Sequence, residues 1–596
     1  MVSWRKGGTM STPTTLPEVF RVWRTTEPEP ALIDARGGAD RRIPAREVAA
    51  QVAGLALGLA KLGVQKGDRV ALISGNRPEW HIVDFALHHL GAINVPIYTT
   101  LLPPQVAHIL ADSGAKVCIA ETPELVGKVL EARRLCPELA HVLLMEGEPS
   151  PGVLALRQCL EPVPVEKAGE VLDGMLGNVS PEDLATIIYT SGTTGEPKGA
   201  MLTHDNFVWD ALSAASVQDW PPHKEVALSF LPLSHVLERL VDYILFAYGA
   251  TIAYCGILEA GEALRRIRPH LFTAVPRFYE KVYDRIMAEG NHGSALKRKL
   301  FRAAVEEALR AFRTGKKGLW FKILDKLVLA KIRAAFGGRL RFSISGGAPL
   351  PVDVGEFLHA VGIYVLEGYG LTETSPVISV NTTRKAKLGT VGPPIPGVEV
   401  KIAPDGEILT RGRHVMKGYW NKPEATREAI DPEGWFHTGD VGELDEEGFL
   451  RITDRKKDII VTAGGKNIAP QPIENQLKTS PFVENAVLFG DRKPYVVALL
   501  VPNFEELTRW AAQRGLPTQD RSALLQHPEV LQLYQGIVDG VNANLARFET
   551  IKKFRLLPEP FTMDGGELTP TLKVKRRVIL QRYGELVESM YAEGEP

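Results

Sequence analysis

The stretch Tyr189-Thr-Ser-Gly-Thr-Thr-Gly-Glu-Pro-Lys-Gly199 gathers four Ser/Thr hydroxyls, three glycines and a lysine into one turn. Those residue types suit a phosphate: glycines let backbone N–H groups turn towards an anion, hydroxyls add donors, and a lysine adds charge. An apolar strand is expected before it, over Leu184–Ile188, and a helix after it, with Thr203 as N-cap. The spacing excludes a Walker loop, which sets four residues between its glycines and follows the lysine with Ser or Thr. Here two residues separate Gly192 from Gly195, and Gly199 follows Lys198.

Further segments concentrate polar and small residues in the same way. They are Leu231-Pro-Leu-Ser-His-Val-Leu-Glu-Arg239, Ser345-Gly-Gly-Ala-Pro349, Glu367-Gly-Tyr-Gly-Leu-Thr-Glu-Thr374 and Trp435-Phe-His-Thr-Gly-Asp440. Asp454-Arg-Lys-Lys-Asp458, Ala463-Gly-Gly-Lys-Asn-Ile-Ala-Pro470 and Leu568-Thr-Pro-Thr-Leu-Lys-Val-Lys575 follow. In type and order these resemble the signatures of adenylate-forming (AMP-binding) enzymes, from about residue 17 to 590. The segments at Leu231 and Glu367 look most like the long-chain fatty acid–CoA ligase branch.

That resemblance implies a reaction in two halves: a carboxylate attacks the α-phosphate of ATP, and coenzyme A then displaces AMP. Thr190, Ser191, Gly192, Thr193, Thr194, Gly195 and Lys198 would cradle phosphates. Glu373 would hold magnesium with Thr190, since a hard cation takes carboxylate, hydroxyl, water and phosphate oxygens. Thr372 would touch the α-phosphate. Tyr369 would face adenine within Glu367, Gly368 and Gly370, with Gly347, Ala348 and Pro349 on its other side; a buried core tyrosine is the competing account. Asp440 and Arg455 would anchor the ribose, and His235 would stand between acyl and nucleotide pockets.

Aligning the final basic residues puts Lys573 at the lysine that bridges carboxylate and α-phosphate. The glycine usual before that lysine is missing, so Lys575 stays an alternative.

Positioning these residues requires an α/β fold. Helical periodicity over Ala45–Leu62, a buried-strand pattern over Arg69–Ile73, a helix from Glu79 to Leu90 opened by Pro78, and extended runs at Ile93–Ile97 and Lys116–Ala120 alternate, with glycine turns between. Two hairpins follow, around Asp405-Gly406 and Glu447-Gly448. The expectation is a large N-terminal domain (1–453) of parallel and mixed sheets flanked by helices, with a β-rich portion. A charged, solvated hinge (454–458) then leads to a small mobile α+β lid (459–596). By resemblance Lys457 and Asp458 form the pivot, and Gly464, Gly465 and Lys466 face the site for thioester formation.

At 596 residues the chain exceeds the roughly 250–300 at which one core stops growing. Its 70 basic and 71 acidic residues leave no surplus with which to grip nucleic acid. The four cysteines have neither zinc nor thioredoxin spacing, which reads as reduced cytosolic thiols. The N-terminus lacks the apolar core of a signal peptide, and Met10 is an alternative start. The run Tyr243–Leu258 reads as helix end, turn and buried strand. Between 294 and 341, 14 Lys/Arg face 3 Asp/Glu: a solvated helical face, or a peripheral contact with the inner face of a membrane. A homodimer stays open. So do another carboxylic acid (aryl, bile or medium-chain), a carrier-protein thiol acceptor, and a catalytically silent lipid-binding scaffold.

Overall fold

The computed structural model describes residues 12–190, 197–218, 220, 225–464, 466–563, 565–569 and 574–592. The chain divides into two compact units. One comprises 1–401, 409–438 and 444–450; the other comprises 402–408, 439–443 and 451–596.

The first unit holds two eight-stranded sheets among the described residues. One runs in the order Gly418–Tyr419, Lys198–Thr203, Leu184–Thr190, Ile93–Ile97, Arg69–Ile73, Val117–Ala120, His141–Leu144, Leu154–Ala155. Its inner strands pair in parallel, as near-continuous apolar runs require when helices cover both faces. The other carries Val377–Val380, Val365–Gly370, Ser343–Ser345, Leu271–Ala274, Val226–Ser229 and Thr251–Tyr254, then Ala31–Asp34 and Arg41–Pro44.

Local chemistry sets the boundaries. Pro78 opens the helix Pro78–Leu90, and Gly91 ends it at φ 70°, the left-handed cap that glycine adopts without a steric penalty. The predicted helix from Ala45 is present over Ala45–Lys61, and the strand Arg69–Ile73 has its expected bounds. The Tyr243–Leu258 run resolves into the end of helix Val236–Ala247, a turn at Gly249 and strand Thr251–Tyr254. Strands Glu399–Ile402 and Glu407–Arg411 flank Gly406, and Phe436–Leu444 and Leu450–Arg455 flank Gly448. All four cysteines are buried and free.

Between sheets and helices lies a core containing Phe20, Trp23, Trp80, Phe85, Phe207 and Phe246, all fully buried. Each such side chain contributes about 1.5–3 kcal/mol.

The second unit carries a three-stranded sheet of Val483–Phe489, Val496–Pro502 and Ile551–Leu556. Helices Pro470–Lys478, Pro528–Asn542 and Arg576–Ala592 accompany it. It has its own core around Leu488, Leu500, Tyr534 and Val538, as the α+β pattern predicts.

Candidate active site

Thr190 closes the strand Leu184–Thr190, and Lys198 opens the antiparallel strand Lys198–Thr203, the two residues facing each other in register. This corrects the expected strand–turn–helix order. A second strand intervenes because Lys198 to Thr203 pairs with Leu184–Thr190 along one edge while Gly199 to Met201 finds backbone partners along the other. The helix His204–Ser216 starts only afterwards, capped by Thr203, whose hydroxyl accepts from the Asn206 N–H at 3.1 Å. Lys198 therefore belongs to a strand end and draws nothing from a helix dipole. Ser191, Gly192, Thr193, Thr194 and Gly195 lie outside the described residues, as do Gly465 and Lys573.

The other edge of Lys198–Thr203 receives Gly418–Tyr419, with Tyr419 opposite Ala200. Flanking bonds run from the Lys417 N–H to the Met201 carbonyl (3.0 Å) and from the Trp420 N–H to the Gly199 carbonyl (2.7 Å). This pairing puts the Lys198 ammonium 5.3 Å from the centre of the Tyr419 ring, within cation–π range. The Tyr419 hydroxyl donates to Glu373 Oε1 at 2.9 Å. Burial and the neighbouring Glu373 push the Tyr419 phenol well above its usual range, so it stays protonated and a donor.

Glu373 lies in the 3₁₀ turn Thr372–Thr374 and is 9% exposed. Its carbonyl accepts from the Met416 N–H at 2.8 Å. Strand Val365–Gly370 feeds this turn past a tight crossing: a Cβ on Gly370 would fall 1.5 Å from the Pro376 carbonyl oxygen, so only glycine fits. Glu373 Oε2 accepts no hydrogen bond among the described residues. One carboxylate oxygen so disposed, with hydroxyls nearby in sequence, fits magnesium, which keeps waters and phosphate oxygens as its other ligands.

A second wall comes from parallel pairing of Ser343–Ser345 with Val365–Gly370, which sets Ser345 opposite Glu367. Gly347, Ala348 and Pro349 follow as an exposed turn, Gly347 at φ 84°. Tyr369 is half-buried, packs against the first unit's core and pairs with Ser379, and Gly368 pairs with Val380. Glu367 Oε2 accepts from the Leu350 N–H at 3.2 Å. Burial pushes this carboxyl up to about 7, against the donors from Leu350 and Gly389.

His235 caps the helix Val236–Ala247, its Nδ1 accepting from the Leu237 N–H at 3.2 Å. Asn76 holds the preceding turn: its Oδ1 accepts from the Leu233 N–H (3.1 Å) and its Nδ2 donates to the Leu231 carbonyl (2.7 Å). A Cβ on Gly346 would come within 2.8 Å of Leu237 Cδ2, so the helix start abuts the turn that carries Gly347. One turn along, fully buried Arg239 donates to Asp84 (2.6 Å), Tyr243 (2.7 Å) and Thr186 (2.9 Å). Burial alone would raise the Asp84 carboxyl, but Arg239 and His88 hold it well below the usual range.

In the second unit, Arg455 Nε lies 3.2 Å from Asp440 Oδ1, which joins the two ribose candidates. The reading of 454–458 as a solvated connection is corrected in part. The strand runs through Arg455, and Asp454 is buried. Two backbone donors make that burial tolerable, the Arg455 N–H at 2.6 Å and the Gln471 N–H at 3.1 Å. Burial still pushes the Asp454 carboxyl up to about 6.

The exposed part of the segment is Lys456 and Lys457. Lys456 pairs with Asp405 and Glu407, and Asp458 lies 3.9 Å from Arg576. The Lys466 N–H donates to the Thr462 hydroxyl at 3.1 Å, beside exposed Gly464. The Lys575 N–H donates to the Glu567 carbonyl at 2.7 Å.

Tyr419, which links Lys198 to Glu373, was not predicted from the sequence. Its only local signal is Gly418-Tyr419-Trp420, and a two-residue strand is too short to show a period.

Residues 19–420 match the family model for the AMP-binding enzyme, and 457–595 match that for the AMP-binding enzyme C-terminal domain. A long-chain-fatty-acid–CoA ligase, FadD15 of Mycobacterium bovis, is 42% identical over 556 residues, 91% of each chain. Among solved structures, the anthranilate CoA ligase AuaEII in complex with anthranoyl-AMP aligns with TM-score 0.73 and 20% identity, over 97% of this chain and 99% of that one. The o-succinylbenzoate coenzyme A synthetase of Bacillus subtilis, in complex with ATP and magnesium ion, aligns with TM-score 0.67 and 23% identity, over 94% and 98%. The chain belongs to the AMP-binding, adenylate-forming enzyme family, alongside the long-chain acyl-CoA synthetases.

Proposed function

We propose that the protein converts a long-chain fatty acid, ATP and coenzyme A into acyl-CoA, AMP and pyrophosphate. The observation that supports it best is the grouping of Lys198, Tyr419 and Glu373 in a chain 42% identical to a long-chain-fatty-acid–CoA ligase. In the first half-reaction a carboxylate oxygen bonds to the α-phosphorus, the bond to the bridging oxygen breaks, and pyrophosphate leaves. In the second, the thiol sulfur bonds to the acyl carbon, the acyl–oxygen bond breaks, AMP leaves, and the thiol proton is released.

A carboxylate is a weak nucleophile, so alignment and charge stabilisation supply most of the catalysis. Lys198 neutralises phosphate charge together with residues 190–195. Thr372 orients the α-phosphate, and Tyr369 packs on adenine against Gly347, Ala348 and Pro349. Asp440 and Arg455 take the ribose, Lys573 bridges carboxylate and α-phosphate, and His235 separates the acyl and nucleotide pockets. Glu373 and Thr190 would hold magnesium, which when bound offsets charge on phosphate oxygens.

Lys457 and Asp458 are the pivot on which the C-terminal segment exchanges Lys573 for the 464–466 loop between half-reactions. Among the described residues no helix is long and apolar enough to cross a membrane. We place the enzyme in the cytoplasm, touching the inner face of the membrane through segment 294–341.

The test is CoA-dependent AMP release over a panel of acids, with ATP–pyrophosphate exchange alongside. Highest kcat/KM with C14–C18 acids, on the order of tenfold or more above aryl and medium-chain acids, is the expected outcome. Preference for an aryl acid, or exchange with no acid at all, would overturn the assignment.

A further inference from the structure

The basic segment folds into helices Ala295–Thr314, Leu319–Leu324 and Ala330–Ala335, with a π turn over Asp325–Leu329. From Leu319 onward its two faces differ. One buries Phe321, Leu324, Leu329 and Ile332 in the core. The other leaves Leu319 76%, Trp320 54%, Ile323 41% and Leu327 49% exposed. Single exposed apolar residues need no explanation, but four at helical spacing form a continuous stripe.

The charges around the stripe sort into two sets. The arginines are engaged: Arg310 with Glu307, Arg313 with Glu356 and Arg333 with Asp325. Lys316, Lys317, Lys322, Lys326 and Lys331 make no ion pair among the described residues. All five are exposed, and all five lie within or beside the stripe. An apolar ridge bearing a tryptophan, bordered by cations that make no ion pair among the described residues (Lys317 lies over the Phe321 ring), matches the interface of an anionic bilayer. Apolar side chains enter the acyl boundary there, tryptophan sits at headgroup depth, and lysines meet lipid phosphate.

We infer that Leu319, Trp320, Ile323 and Leu327, with the lysines around them, form a docking surface for a membrane rich in anionic phospholipid. This narrows the membrane contact proposed above to one ridge and rests on that reading. A fatty acid dissolved in the bilayer would then be delivered where the enzyme already resides.

The full chain would be sedimented with vesicles of phosphatidylcholine alone and of phosphatidylcholine containing one third phosphatidylglycerol. Binding should be at least about tenfold stronger on the anionic vesicles and should weaken as salt is raised. A Leu319→Glu, Trp320→Glu double variant, and separately Lys316→Glu, Lys322→Glu, Lys326→Glu, should each lower it at least about tenfold. These positions are exposed, so thermal melting should be unchanged and acid turnover in detergent solution should persist.

Equal binding by the double variant, equal binding to both vesicles, or no binding at all would overturn the proposal. So would a concentration-dependent dimer that Trp320→Glu dissociates, which would make the ridge an interface between copies. Vesicle binding and the acid panel read separately: loss of acyl-CoA formation with binding intact sinks the ligase reading and leaves the surface standing.

Discussion

Tyr419 donates its hydroxyl to Glu373 Oε1 at 2.9 Å while its ring lies under the Lys198 ammonium. The tyrosine fixes which carboxylate oxygen faces the protein and which is left for a ligand. Tyr419→Phe keeps the ring and removes the donor. A hydrogen bond to a charged group is worth about 1.5–3 kcal/mol, so the KM for Mg·ATP should rise roughly tenfold or more, with a smaller change in kcat. Steady-state kinetics at saturating acid and CoA check this; an unchanged KM would detach Tyr419 from the nucleotide site.

Lys573 and Lys575 can be separated by single substitutions. Lys573→Ala should lower acyl-AMP formation by about 10²–10³, the scale of losing one stabilising donor at a phosphoryl transition state. Lys575→Ala should keep most of it. Single-turnover formation of acyl-AMP is the readout, and the reverse pattern would move the role to Lys575.

Glu367 makes stability depend on pH. Its carboxyl ionises near 4.5 when unperturbed and is pushed up to about 7 by burial. Between these values the unfolded chain has released the proton and the folded one still holds it. Raising the pH through this window therefore destabilises the fold. Glu367→Gln should flatten that part of the decline in melting temperature between about pH 5 and 7. Asp454 acts in the same direction over a lower window, from 3.8 to about 6, so the slope should be reduced rather than abolished.

Arg239 and Asp84 are both fully buried, and their guanidinium–carboxylate contact is 2.6 Å. Arg239→Met would leave the buried Asp84 charge with Tyr243, Asn94, His81 and His88 but without its guanidinium. Removing one partner of a buried pair costs about 3–5 kcal/mol, and denaturant unfolding should show a loss of that size. Asp84→Asn with Arg239→Met should recover part of it, since both buried charges are then gone.

Lys457→Pro should slow thioester formation more than adenylation, because proline fixes φ where the proposed pivot must turn. Timed release of pyrophosphate and of AMP distinguishes the two steps. Equal slowing of both would remove the pivot from Lys457.

Long periodic segments were legible in the sequence. Arg69–Ile73 has the bounds that its apolar pattern implies, and the helix Pro78–Leu90 ends at the expected Gly91 and starts one residue before the expected Glu79, on the proline that opens it. The role expected of Glu373 rests on the resemblance of its motif to the family; the structure adds that the side chain is buried and held by Tyr419. What was hidden depends on partners distant in sequence. Lys198–Thr203 reads as a helix approach until Gly418–Tyr419, over two hundred residues later, supplies its second edge. Asp454 sits in a charged run that looks solvated, and only the Gln471 N–H explains how it is buried.

The strand Lys198–Thr203 is bonded along both sides, to Leu184–Thr190 and to Gly418–Tyr419. Fraying of its first residues, Lys198 to Ala200, would loosen both Lys198, the proposed phosphate cation, and Tyr419, which holds Glu373. On the proposed function, the cation that meets the nucleotide and the carboxylate that would hold the metal are thus braced by one mechanical element.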